Sequence, residues 1–335
     1  MVQIIAELAQ GFEGKPEQAQ LLILAGARAG ADAVKMQLVY AEELCTPDYK
    51  DFSLFQTLEM PDKVWYALAA RANELNVELH LDVFGPRSLA LAEAIGAAAI
   101  KIHGTDMGNI GLLKAVAKSG VSQILLGAGG GFMPEIVQAI ELLASKKVVV
   151  LLGFQGYPTP NDSNQIERVR NVGAMFSSYP NVTIGFADHA PPNGPLSLAI
   201  AATALGAGAK VFEKHLTLAQ TMKLEDHEAA LNPDQFREFA GALRACEEAL
   251  GRVASTPDFG MSEAELEYRQ WTRKHVVACR PIKAGTKINP ESVLLKRTPS
   301  TEVFTDLDSV YGKTVIRDIA VNQAVSPLDI GSEEK

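Results

Sequence analysis

The chain has little of what marks secreted, membrane-bound or nucleic-acid-binding proteins. Among its 335 residues there are only three cysteines, Cys45, Cys246 and Cys279, far apart and odd in number. Neither a disulfide framework nor a cysteine zinc cluster is expected, which points to a reducing cytoplasm. No uninterrupted apolar stretch approaches the roughly 18 residues that a membrane-spanning helix needs. The start, Met1-Val2-Gln3-Ile4-Ile5-Ala6-Glu7, lacks a basic segment followed by a long apolar one, so no signal peptide is expected. Positive charge is also short. The formal net charge of -9 argues against a nucleic-acid partner or an anionic membrane surface. An anionic substrate would need its own local cluster of Lys and Arg.

What the chain does have is apolar residues, 47% of the total, enough for a sizeable core. Short apolar runs at 3–6, 33–37, 78–82, 99–102, 123–126, 148–152, 182–186 and 210–213 read as strands. Amphipathic segments such as 16–29, 63–75, 109–119, 133–145, 195–205 and 233–250 read as helices between and after them. Eight strand–helix units in about 250 residues predict an α/β fold, a closed (β/α)8 TIM barrel, over residues 1–250. Residues 251–270 are polar and read as a linker. The texture then changes, and 271–335 read as a small, mostly-β domain, marginal for independent stability at this size.

Strand alternation fixes which side chains share a face. Lys35 and Gln37 share one at the second strand end, Lys101 and His103 at the fourth, and Glu213 and His215 at the eighth, with Glu7 closing the first. Barrel strands open onto one face, where such folds keep their active sites. Two strand ends carry an acid and an imidazole, Asp188-His189 and Glu213-Lys214-His215. Neutral imidazoles converging there, with these carboxylates beside them, would suit a divalent metal with positions left for substrate. Paired inward lysines would suit an anion. The glycine-rich turn 127–131 could present backbone amides to a phosphate or could be an ordinary turn. Tyr157-Pro158-Thr159-Pro160 reads as a stiff loop at the rim.

Taken together, these segments resemble the N-acetylneuraminate (sialic acid) synthase family. The carriers are Ile4-Ile5-Ala6-Glu7, Ala29–Gln37, Ile100-Lys101-Ile102, Tyr157–Pro160, Asp188-His189, Glu213–Leu218, Asp226-His227, Pro281–Gly285 and Leu295-Lys296-Arg297. The resemblance implies a TIM barrel joined to an antifreeze-like (SAF) domain and metal-dependent condensation of phosphoenolpyruvate with an N-acylated aldose such as N-acetylmannosamine. His189 and His215 would bind Mn2+, with Mg2+ or Co2+ as alternatives. Glu7 would be the acid/base, and Lys35 and Lys101 would meet phosphoenolpyruvate, with Gln37 alongside. Tyr157 and Asp226 would face the sugar. Arg297 would reach the sugar's acyl group from the partner subunit in a domain-swapped homodimer.

Several positions depart from the family pattern. Its Ser-Thr-Pro-Phe segment stands here as Leu81-Asp82-Val83-Phe84, and its Gly-Ser-Gly-Glu segment as His103-Gly104-Thr105-Asp106. Its Ser-Thr-Gly segment is Gly127-Ala128-Gly129. Gln155 replaces the Asn before the Tyr, and Ala187 the Ser before Asp-His. Asp82 would repel a phosphate unless it pairs with Lys35 or Lys101, and such a pair would neutralise its own anion site; Thr105 and the glycine turn could compensate. Two other readings follow. One is an aldolase or lyase using Lys35 or Lys101 as a Schiff-base nucleophile. The other is a sugar-binding homologue without catalysis.

Overall fold

A computed structural model of the chain describes residues 1–194, 196–251, 257 and 259–331. Pro195 of the expected helix 195–205, residues 252–256 and 258 of the expected linker, and the last four residues of the expected small domain lie outside the described residues. The chain divides into two compact units, Met1–Gly251 and Arg252–Lys335.

The first unit is a closed parallel barrel of eight strands in sequence order. These are β1 (Gln3–Ala9), β2 (Ala33–Gln37), β3 (Glu78–Val83), β4 (Ala99–Ile102), β5 (Gln123–Gly127), β6 (Lys147–Leu152), β7 (Val182–Asp188) and β8 (Val211–His215). Both faces of such strands are covered, which is why they read as near-continuous apolar runs. Outward side chains pack beneath helices in one large core that includes Ile4, Val34, Leu81, Ile100 and Phe212. Inward side chains form a separate layer of Ile5, Ala33, Ala99, Leu125, Val149, Leu151 and Val211.

That inner layer sets the phase for everything above it. Two residues further along each strand the same face carries Glu7, Lys35, Lys101 and Glu213. The register pairs Glu7 with Lys35 on one side and with His215 on the other, and Asp82 with Lys101. The end of β1 is bulged between Glu7 and Ala9, where Ala9 takes a positive φ of 45° and the chain turns away.

Main chains crowd together where β5, β6 and β7 end. A Cβ on Gly129 would stand 2.3 Å from the Gly153 carbonyl oxygen, and one on Gly153 would stand 2.3 Å from that of Ala187. Gly153 also has φ +147°.

In the second unit β9 (His275–Ala278) pairs antiparallel with β10 (Val293–Lys296). A core of Val276, Ile282, Ile288, Val310, Val315 and Val325 lies around them. The stretch expected as a linker is in part helical. Glu263–Thr272 forms a helix whose start is fixed by a reciprocal Ser262–Glu265 capping box. Among the described residues no helix is long and apolar enough to cross a membrane.

Gly153→Ala combines a left-handed backbone position with a main-chain clash. It is expected to destabilise the barrel by about 1–3 kcal/mol or more; an unchanged urea midpoint would show that the strand ends can part freely.

Candidate active site

Five ionisable side chains meet inside the barrel mouth, all essentially buried: Glu7, Lys35, Asp82, Lys101 and Glu213. Lys35 is the hub. Its Nζ contacts the Glu7 carboxylate, lies 2.6 Å from Asp82 Oδ1 and 3.6 Å from Glu213 Oε2. Lys101 Nζ donates to Glu213 Oε1 at 2.7 Å, so Glu213 joins the two lysines. A charge this far from water is tolerated only when it is paired. Of the two lysines that could pair with Asp82, Lys35 does, and it also meets Glu7 and Glu213.

Protonation follows from the same crowding. Burial, with Glu213 and Asp82 as like charges nearby, pushes the Glu7 carboxyl up to about 8 against the pull of Lys35 and Lys101. Glu213 goes the other way: burial is outweighed by Lys101 and Lys35, which hold it well below the carboxylate range. Burial would discharge Lys35, yet Asp82, Glu213 and Glu7 keep it protonated, its pKa well above the ordinary value. At neutral pH Glu7 thus holds a proton beside a charged Lys35 and a charged Glu213. Its Oε1 accepts the Ala9 amide at 2.7 Å, so the β1 bulge orients the carboxyl.

The imidazoles form a second group. His189 and His215 stand with ring centroids 5.2 Å apart. Tyr157 meets both edge-on, at 5.1 and 5.5 Å. The Tyr157 loop is tied to the end of β7, since the Thr159 amide donates to the His189 carbonyl at 2.9 Å. The Thr159 hydroxyl donates back to the Phe154 carbonyl at 2.7 Å. Burial holds His189 down near 4 and His215 well below its ordinary value, so both rings are neutral. Burial, with Glu225 and Glu228 beside it, raises Asp226 to about 7; its Oδ2 lies 3.7 Å from His215 Nδ1.

Two neutral imidazoles are a fitting donor pair for a divalent cation. The buried His189 Nδ1 has no hydrogen-bond partner, as a ligand nitrogen would require. Among the described residues no group of three His, Cys, Asp or Glu is arranged to hold a metal ion. A cation here would therefore have these two protein ligands and take its other positions from water or substrate.

The remaining expected residues fall in different places. Gln37 Oε1 accepts from Gln10 Nε2 at 2.7 Å. Gln155 and Thr105 both meet His103: Gln155 Nε2 lies 3.0 Å from its Nε2, and Thr105 Oγ1 2.9 Å from its Nδ1. Arg297 belongs to the second unit, where its Nε donates to the Thr272 carbonyl at 3.2 Å. One expectation is corrected. The acid before His189 is not beside it in the mouth, because neighbours on a strand face opposite sides. The buried Asp188 carboxylate lies 3.3 Å from Lys214 Nζ, and that ammonium also donates to the Ala190 carbonyl at 2.8 Å. Glu213 and His103 lie on the inward face that alternation marks. Nothing in the sequence pattern marks Gln10.

A family model described as "NeuB family" matches residues 22–255, and one described as "SAF domain" matches 273–331. Spore coat polysaccharide biosynthesis protein SpsE of Bacillus subtilis is 29% identical, over 88% of this chain and 83% of that protein. N,N'-diacetyllegionaminic acid synthase of Legionella pneumophila is 23% identical, over 95% of this chain and 91% of that protein. Among solved structures, N-acetylneuraminic acid (sialic acid) synthetase from Leptospira borgpetersenii superposes with a TM-score of 0.72 at 25% identity. It covers 80% of this chain and 91% of its own.

The Glu7 carboxyl gives a stability signature. Its ordinary pKa is 4.5 and its folded value about 8. Between these, the folded chain holds a proton that the unfolded chain has released. Glu7's own contribution to stability should therefore fall as pH rises from 5 to 8, by at most about 1.4 kcal/mol per unit, while the depressed rings of His189 and His215 act with the opposite sign below their ordinary value. Glu213, held low, acts with the opposite sign and only in acid. The slope of urea midpoint against pH across this window should be more positive in Glu7→Gln than in wild type; equal slopes would contradict a protonated Glu7.

Proposed function

The chain belongs to the NeuB family, and from that membership we propose that the barrel mouth condenses phosphoenolpyruvate with an N-acylated aldose. The products would be a nonulosonic, sialic-acid-like sugar acid and inorganic phosphate. The observation that carries this reading is one mouth holding a protonated Glu7, the Lys35–Glu213–Lys101 chain and two neutral imidazoles under Tyr157.

The steps balance around Glu7. The enol π pair of the donor forms the new bond to the aldehyde carbon, and the aldehyde oxygen takes the Glu7 proton to become a hydroxyl. Water then adds to the cationic donor carbon and returns a proton to the Glu7 carboxylate. The resulting hemiketal collapses to the keto acid; its hydroxyl proton leaves with the phosphate, and the C–O pair goes to phosphate. A carboxyl poised near neutrality suits both proton transfers. Lys101 and Lys35 would hold the donor's anionic groups and stabilise the negative charge that collects on the departing phosphate.

His189 and His215 would hold a divalent cation, Mn2+ first among candidates, whose Lewis acidity would polarise the sugar aldehyde. Tyr157 and Asp226 would face the sugar, with Gln37 beside the donor. Arg297 would meet the acyl group from the partner's small domain in a domain-swapped homodimer. A cytoplasmic enzyme with small-molecule substrates is consistent with all of this. Lys35, held protonated chiefly by Asp82 and Glu213, is unsuited to Schiff-base chemistry. The internal pairing of both lysines favours a second reading, sugar binding without turnover.

Phosphate release from phosphoenolpyruvate, with Mn2+ and a panel of N-acylated and plain aldoses, separates these. Sugar-dependent release should fall by about 10²–10⁴-fold in Glu7→Gln and be lost, with its metal dependence, in His215→Ala. Sugar binding without release under any condition would support the second reading.

A further inference from the structure

The condensation steps leave one buried polar group beyond the end of β8 unused. Past His215 the chain stays extended. The Leu231 amide donates to the His215 carbonyl at 2.9 Å and the Thr217 amide to the Leu231 carbonyl at 3.0 Å, so Leu216 and Leu231 form a parallel bridge. The Leu216 amide donates to the Glu7 carbonyl at 2.8 Å, which carries the pairing with β1 one residue further. In an extended chain every second side chain faces the same way. Glu213, His215 and Thr217 therefore share the mouth face, while Phe212 and Leu216 pack in the outer core.

Thr217 is 2% exposed, and its hydroxyl has no hydrogen-bond partner among the described residues. Such groups are costly and rare in folded chains. A threonine side chain is stiff about its first torsion, and the main chain on both sides of this one is held. The hydroxyl is thus aimed before anything binds. His189 Nδ1, at the end of the neighbouring strand, is likewise buried without a partner. Two such groups in one mouth point to an occupant rather than to faulty packing.

Position along the strand selects the reactant. Glu213 meets the two lysines, at the level proposed for the donor. His215, two residues on, stands with His189 and Tyr157. Thr217 lies two residues further toward the rim, roughly 7 Å along an extended chain. The excursion that leaves Thr217 and returns at Leu231 also carries Asp226, whose Oδ2 lies 3.7 Å from His215 Nδ1. A hydroxyl both donates and accepts and carries no charge. It matches the hydroxyls along an aldose and leaves the charge balance around the lysines unchanged. We propose, resting on the condensation reading above, that Thr217 binds the acceptor sugar. Its Oγ1 exchanges a hydrogen bond with an aldose hydroxyl on the rim side of the aldehyde, and it touches neither the donor nor the cation.

The test compares Thr217→Val, which keeps the branched shape and removes the hydroxyl, with Thr217→Ser, which keeps the hydroxyl. Binding of N-acetylmannosamine and the aldose panel to the full chain with Mn2+ is read by calorimetry, beside phosphate release from phosphoenolpyruvate. Affinity for the aldose, and kcat/KM for it, should fall about tenfold in Thr217→Val, the worth of one hydrogen bond between neutral groups. Thr217→Ser should keep most of both. The KM for phosphoenolpyruvate and the affinity for Mn2+ should not change. The urea midpoint of Thr217→Val should not fall, since the hydroxyl it removes has no partner in the free chain. Equal aldose affinity in Thr217→Val and wild type, or a loss matched by an equal loss of Mn2+ affinity, would overturn the assignment. No phosphate release from a folded wild type whose aldose affinity still depends on Thr217 would overturn the condensation reading alone. A folded, Mn2+-loaded wild type that binds no aldose of the panel would overturn both.

Discussion

The ammonium of Lys35 amid three acidic side chains, one of them protonated, is the interaction on which the rest of this mouth depends. Inside a barrel, water cannot screen charge, and an unpaired ion costs several kcal/mol. Glu7, Asp82 and Glu213 come from three different strands and are held together because one cation serves them all. Removing that cation would leave like charges in contact within a closed wall of strands. Protonation of Glu7 is the other half of the same balance. With three acids and two lysines in one dry space, the acid that loses the competition for positive charge keeps its proton.

The imidazole side obeys a different constraint. His189 and His215 are kept neutral by burial, and Tyr157 packs edge-on against both rings. This division suits a condensation of two unlike partners. One side manages anionic charge through lysines and acids; the other offers neutral nitrogen donors and an aromatic wall. Neither side resembles an apolar pocket, so affinity for a polar sugar acid would come from placed hydrogen bonds and charge.

Much of this was legible in the sequence because a parallel barrel obeys simple rules. Strand periodicity located all eight strands, and the two-residue repeat placed Lys35, Lys101, His103, Glu213 and His215 on the inward face. The same repeat, applied one residue further, would have turned Asp188 outward. Adjacency in sequence there suggested a partnership that the alternation of faces forbids. What could not be read was pairing across the barrel. Which acid meets which lysine depends on the stagger of the closed sheet, and no local pattern encodes that. Gln10, bonded to Gln37 from the turn after β1, carries no signal of its own. The helix Glu263–Thr272 hid in a polar, glutamate-rich stretch that resembled a linker, although Ser262 and Glu265 have the spacing of a capping box.

Behind the barrel wall, Lys214 and Asp188 clasp one another and the Ala190 main chain. They brace the segment that carries His189 from the side facing the helices, out of reach of any substrate. The lysine–acid cluster is braced separately, by its own charges and by the β1 bulge. The two halves of the mouth are thus braced by different contacts, although β8 carries both Glu213 and His215. A lineage could exchange the groups that hold one reactant while the bracing behind His189 stays untouched. Divergence in such a barrel can proceed one substrate at a time.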